Sequence, residues 1–284
     1  MQKTTRRHFF KKTALGIAAV SWNRAGADTG LNRTTGHEEK VNPRFGLGLA
    51  SYTFREFSLE NAISMTKRAG LRKITLKSMH LPLESSQADI IAAAEKVRNA
   101  GLDLYGCGVV YMTNTAEAEQ AFEYARTAKM SIIIGVPNPE LLGLINQKVK
   151  EYDIKLAIHN HGPEDKLFPT PDSAYEKIRN LDLRLGLCID IGHTMRSGVD
   201  PAAAAIRFAD RLLDIHIKDV TAASKEGETV EMGRGVIDIP KFVRALIKIN
   251  YQGTAAFEYE KDGQDPLPGL AESVGYLRGI LAAI

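Results

Sequence analysis

The feature that most limits how this chain can fold is a repeat in its hydrophobic pattern. Short β-rich runs begin at Phe45, Lys73, Leu102, Ser131, Lys155, Leu183, Leu212 and Gly253, at spacings of 28, 29, 29, 24, 28, 29 and 41 residues. Amphipathic stretches with helix-start signals lie between them. Ser58 precedes the first, and Asn138-Pro139 and Asp200-Pro201 each place a capping side chain before a proline at the first helical position. Asp89 to Ala100 carries helical apolar spacing and stops at Gly101. Eight strand–helix units in about 240 residues predict a (β/α)8 TIM barrel. An open doubly wound sheet is the rival, but no glycine-rich dinucleotide turn follows the first strand. The extra length before the eighth strand reads as a polar loop, roughly Asp219 to Val236, with Gly227, Gly233 and Gly235. Loops after strands lie on the catalytic face of such barrels.

The N-terminus has a different character. Thr5-Arg6-Arg7-His8-Phe9-Phe10-Lys11 resembles the twin-arginine export motif. The short apolar run Ala14 to Val20 and then Ala25-Gly26-Ala27 follow it. A charged start, an apolar middle and a small-residue end predict a signal peptide over residues 1–27 and delivery to the periplasm or beyond. The apolar run is far short of the ~20 residues of a membrane span, so no stable membrane insertion is expected after cleavage. Residues 28–43 are polar and aperiodic and read as a tether, leaving 44–284 for the barrel. The whole chain has 37 Lys+Arg against 34 Asp+Glu, but residues 1–27 hold six basic and no acidic residues, so the remainder carries a net charge of −3. A mildly acidic domain offers no electrostatic reason to bind nucleic acid. A hydrophobic content of 44% with 25% charge excludes disorder, collagen and coiled coil. Two cysteines, Cys107 and Cys188, fall on strands three and six, far apart around the ring, so no disulfide is expected.

Strand alternation locates the chemistry. Neighbouring residues on a strand face opposite sides, and in a barrel the outward face packs on helices and is apolar. Leu156 and Ile158 outward put His159 and His161 inside; Leu187 and Ile189 outward put Cys188 and Asp190 inside. Ile215 and Ile217 leave His216 and Lys218 inside, Phe257 and Tyr259 leave Glu258 and Glu260 inside, and Ile74 and Leu76 leave Lys77 inside. Buried charges must be paired or bind metal. His159, Asp190, His216 and Glu258 therefore form a candidate site for one divalent cation at the C-terminal ends of consecutive strands. Mixed nitrogen and oxygen donors suit Mn, Co, Zn or Fe, with Mg less favoured. Taken singly, each has a plainer reading, as a hydrogen-bonded core histidine or a carboxylate paired with Lys77 or Lys218.

Ile158-His159-Asn160-His161, Cys188-Ile189-Asp190-Ile191-Gly192-His193, Asp214-Ile215-His216-Ile217-Lys218-Asp219 and Phe257-Glu258 resemble the xylose-isomerase-like TIM barrels over about residues 44–284. That family includes sugar epimerases, inositol-catabolism isomerases and dehydratases, and hydroxypyruvate isomerase. The resemblance implies Asp190, His216 and Glu258 as metal ligands, Glu258 also as an acid/base residue, and His193 as a substrate contact near the reacting carbons. His159 stands where sugar epimerases of the family usually carry a glutamate that is both ligand and second base. The implied chemistry is removal by Glu258 of the proton alpha to a carbonyl, through an enediolate on an unphosphorylated sugar or keto-sugar. Lys77 and Lys218 are candidates to balance charge, and His161, His193 or Lys77 to serve as a second group. The runner-up is elimination or hydration of a 3-keto-glycoside. A non-catalytic sugar-binding protein and a metal-dependent nuclease are the readings from other classes. Tyr52, His80, Tyr111, Arg234, His161 and Glu260 are candidates to line the pocket for a small carbohydrate.

Overall fold

The computed structural model describes residues 45–284. The export signal expected over 1–27 and the tether over 28–43 lie outside the described residues. Strands β1 (Gly46–Ala50), β2 (Lys73–Leu76), β3 (Asp103–Met112), β4 (Ile132–Pro137), β5 (Lys155–His159), β6 (Leu185–Asp190) and β7 (Leu212–Ile217) follow one another around a ring. A short antiparallel hairpin, β8 (Asp219–Val220) and β9 (Thr229–Val230), comes next, and β10 (Thr254–Phe257) then closes the ring between β7 and β1. All eight ring pairings are parallel. The outer layer comprises α1 (Leu59–Arg68), α2 (Gln87–Asn99), α3 (Thr115–Thr127), α4 (Leu142–Tyr152), α5 (Pro171–Ile178), α6 (Ile191–Arg196), α7 (Pro201–Arg207), α8 (Ile239–Lys248) and α9 (Leu267–Ala283). The chain is thus a (β/α)8 TIM barrel. Strands β4 and β6 are buried along their whole length, as strands covered on both faces must be. Phe122, Phe168, Phe208 and Phe242 are fully buried.

Local chemistry sets the helix starts. Ser58 Oγ accepts from Asn61 N at 3.3 Å, Asp200 Oδ1 from Ala202 N at 2.9 Å, and Thr170 forms a reciprocal capping box with Ser173. Asn138 departs from expectation. Its Nδ2 donates to Thr113 O, Pro139 opens a single 3₁₀ turn (Pro139–Leu141), and α4 starts only at Leu142. The sixth strand also starts two residues later than its hydrophobic pattern suggested. Asp182 accepts the Arg184 and Leu185 N–H groups in a tight turn, which leaves Leu183 65% exposed. The polar segment expected to be a loop carries the short β8–β9 hairpin. Cys107 and Cys188 are both free and buried. No described helix is long and apolar enough to cross a membrane.

Candidate metal centre

His159 is the last residue of β5 and Asp190 the last of β6; His216 is next to last in β7, and Glu258 directly follows β10. Their depths are staggered rather than level. His159 lies opposite Cys188, Asp190 opposite His216, and His216 opposite Ala256. The tilt and stagger required to close a barrel account for this, and the side chains still converge, each offering a donor atom within 4.8 Å of all the others.

His159 Nε2 lies 3.0 Å from His216 Nδ1 and 3.4 Å from Asp190 Oδ2. Glu258 Oε2 lies 3.1 Å from His216 Nδ1 and 4.0 Å from His159 Nε2. Donors about 2.0–2.2 Å from a common ion stand about 3.0–3.5 Å apart in neighbouring coordination positions and about 4.2 Å apart when opposite. The observed spacings match that pattern. Hydrogen bonding alone serves the group poorly, because the one proton His216 Nδ1 can carry faces both His159 Nε2 and Glu258 Oε2. The charges agree. Asp190, Glu258 and Glu260 meet a single ammonium, Lys218, whose Nζ lies 3.0 Å from Asp190 Oδ2 and 2.8 Å from Glu258 Oε2 and also pairs with Glu260. Three carboxylates against one ammonium leave two negative charges, which one dication neutralises. The residues fit a divalent cation. Cys188 could join His159 and His216 in an alternative trio, but burial pushes its thiol well up and keeps it protonated.

Burial drives His159 well below its ordinary range and leaves its lone pair available. Burial also opposes ionisation of Asp190 and Glu258, but their partners outweigh it. The Lys218 ammonium, with a hydrogen bond from His159, holds Asp190 below the usual carboxylate range, and His216 and Lys218, both in hydrogen-bond contact, do the same for Glu258. Burial works against the charge on Lys218 too, and Asp190, Glu258 and Glu260 restore it.

A second ring of groups surrounds the cluster. His161 stacks on Tyr111 with ring centroids 5.7 Å apart, its Nε2 3.3 Å from the Tyr111 hydroxyl. Burial lowers the His161 pKa to about 4. Lys77 Nζ donates to Val109 O at 2.6 Å and sits between the rings of Tyr52 and Tyr111, 5.9 and 5.7 Å from their centroids. Desolvation lowers its pKa and Glu258 partly restores it. The His193 ring lies 6.0 Å from that of His159 and 5.8 Å from that of His161.

Two sequence candidates are placed elsewhere. Both ring nitrogens of His80 are engaged in packing, Nδ1 with Ser51 Oγ at 2.9 Å and Nε2 with Phe54 O at 3.1 Å. Arg234 makes a two-pronged pair with Glu272 on α9 at 2.7 Å per contact and is 61% exposed, so its guanidinium is committed to the helical shell. Other residues matter that strand alternation did not single out. Asn160, facing away from the barrel axis, accepts from Asp190 N at 3.1 Å and donates to Thr194 Oγ1 at 3.1 Å, which fixes the end of β6. Asp219 is wholly buried and gathers four backbone N–H groups, from Val220 and Ile237 on Oδ1 and from Gly233 and Gly235 on Oδ2. It thereby ties the hairpin segment to the end of β7. The His-x-Lys-Asp pattern was its only signal in the sequence.

Residues 140–280 match the model of a family described as xylose isomerase-like TIM barrel. Among curated relatives, the chain is 28% identical over 145 residues to the rhizopine catabolism protein MocC of Rhizobium meliloti, covering 46% of this chain and 44% of that protein. It is 30% identical over 91 residues to inosose dehydratase of Clostridium beijerinckii, covering 27% of this chain and 30% of that enzyme. The matched segments span less than half the length of these two relatives. Among solved structures, that of the IolI protein with a zinc atom superposes with a TM-score of 0.72 at 16% identity, covering 84% of this chain and 99% of that one. The likeness shows the same barrel fold over nearly all the described residues.

Proposed function

We propose that this chain is a divalent-metal-dependent enzyme that removes the proton next to the carbonyl of an unphosphorylated sugar or keto-sugar, leading to isomerisation or epimerisation. The observation that carries this reading is the convergence of His159, Asp190, His216 and Glu258 on one point at the barrel mouth. These four residues would hold the dication, which when bound supplies Lewis-acid polarisation of a carbonyl.

The chain's own groups do the rest. Glu258 is the base. Its close contacts among the described residues are made by Oε2, which leaves Oε1 to take a proton. Lys218 keeps Glu258 ionised and in place. Lys77, across the mouth between two tyrosines, stabilises negative charge developing on a substrate oxygen. His161 and His193 are held neutral, His161 with a pKa near 4, and offer hydrogen bonds to hydroxyl groups rather than charge. Zinc, manganese, cobalt and iron suit two imidazoles with two carboxylates better than magnesium does.

Two observations support an uncharged substrate. Next to the cluster is a cavity of about 370 Å3 lined by His193, Arg196, Lys218, Glu260 and Lys261. Each of its cations is already paired: Arg196 with Glu164, Lys218 with three carboxylates and Lys261 with Glu231. A phosphate entering here would compete with carboxylates for every one of them. The signal pattern of residues 1–27 also supports a location outside the cytoplasm, where sugar phosphates are scarce.

Elimination of a substituent beta to the carbonyl is the second reading. It is favoured by a mouth with Glu258 as carboxylate base and His159 where a second carboxylate would serve epimerisation, and by a matched relative that is an inosose dehydratase. Incubating metal-loaded protein with free and 3-keto sugars in deuterium oxide tests both. Deuterium should enter the carbon beside the carbonyl, and release of a beta substituent would select elimination. Metal-replete protein that exchanges none of these protons would remove both readings.

A further inference from the structure

We propose that Arg196 is a positioning residue that dictates which nitrogen of His193 carries its proton, so that His193 meets the substrate as a hydrogen-bond donor through Nε2. The inference rests on the proposed function in so far as the substrate lies against His193; the geometry that fixes the proton does not.

His193 sits in the first turn of α6, where its backbone N–H donates to Asp190 Oδ1 at 2.8 Å. One turn further on, Arg196 Nη1 lies 3.1 Å from His193 Nδ1. A guanidinium has only donors and stays protonated in proteins. Nδ1 must therefore be the acceptor, and a neutral His193 carries its proton on Nε2.

Arg196 is itself fixed. Its Nη2 donates to Glu164 Oε1 and to Lys225 O, both at 2.7 Å, and the side chain is 16% exposed. Glu164 belongs to the connection after β5 and Lys225 to the turn between β8 and β9. One guanidinium thus ties two mouth loops to α6 and holds His193 at their junction. Two glycines make room for it. Gly162 has φ +90°, and a Cβ there would lie 3.2 Å from His193 Nδ1 and 3.5 Å from Arg196 Nη1. A Cβ on Gly227 would lie 3.1 Å from Arg196 Cγ and 2.4 Å from Ala222 O. A lysine in place of Arg196 could reach one of these acceptors but lacks the fork that serves all three. The consequence for recognition is chemical. His193 presents a donor, so the substrate group opposite it is an oxygen acceptor, such as a carbonyl, ring or hydroxyl oxygen of a neutral polyol.

The test is the tautomer itself. Full-length protein labelled with 15N at histidine and loaded with diamagnetic zinc is read by long-range proton–nitrogen correlation at neutral pH, with His193→Gln used to assign the signals. Wild-type His193 should show a bare Nδ1 and a protonated Nε2. Arg196→Met should populate the opposite tautomer; if that variant does not fold, Arg196→Lys should show a mixture of the two. A proton on Nδ1 in the wild type, or an unchanged single tautomer in the folded variant, would overturn the proposal. The readout is independent of turnover. Zinc-loaded protein with the expected tautomer but no proton exchange on sugars would remove the proposed reaction and leave the Arg196–His193 relation intact.

Discussion

Glu258→Gln should slow proton exchange beside the sugar carbonyl by about 100- to 10,000-fold, the range a positioned general base contributes, while the barrel stays folded. The substitution keeps the size and shape of the side chain but removes the oxygen that can accept a proton. It also places an amide where Oε2 now lies 2.8 Å from Lys218 Nζ and 3.1 Å from His216 Nδ1. Zinc content measured on the same sample separates the two consequences. Exchange lost with the metal retained identifies Glu258 as the base; exchange and metal lost together place its contribution in holding the ion. Near-normal exchange with the metal retained would refute the base assignment. Because His216 and Lys218 hold the Glu258 carboxyl well below the usual range against the effect of burial, the proposed base should be active at neutral pH without alkaline activation.

Lys218→Met is expected to show its effect most clearly without metal. The Lys218 side chain is 2% exposed and touches Asp190, which is fully buried, as well as Glu258 and Glu260. Removing the cation leaves buried carboxylates facing one another, and breaking a buried pair costs about 3–5 kcal/mol. In chelator at neutral pH, denaturant unfolding should report a loss of that order. Excess zinc should recover most of it, since an ion that binds only the folded state stabilises by mass action. The pH dependence has a definite sign. Asp190 and Glu258 have depressed pKa values in the folded wild type, so their paired form contributes stability above the ordinary carboxylate range, and that contribution is lost as the pH falls. The gap between wild type and variant should therefore be widest near neutrality and narrow as acid protonates the carboxylates left without Lys218. A variant as stable as wild type in chelator at neutral pH would contradict the electrostatic account of the cluster.

What the sequence revealed follows the reach of each signal. Alternation along β5, β6, β7 and β10 depends on a period of two and on which face packs against helices, so it placed His159, Asp190, His216 and Glu258 on the inside without knowledge of their neighbours. Capping rules are similarly local and located the starts at Ser58 and Asp200. They failed at Asn138, whose side chain was taken by Thr113 O, a partner from another loop. His80 and Arg234 show the same limit. One is committed to Ser51 and the Phe54 carbonyl, the other to Glu272 on α9, and no local pattern encodes those pairings. Arg196 lies in a short helix of unremarkable composition, and only the folded chain shows it spanning Glu164, Lys225 and His193.

The most direct measurement is an anomalous difference map from a crystal of the full-length protein grown with zinc and recorded at the zinc absorption edge. The account predicts one strong peak at the barrel mouth, about 2.0–2.2 Å from His159 Nε2, His216 Nδ1 and an oxygen each of Asp190 and Glu258. No peak among these four side chains, or a peak held by other residues, would contradict it.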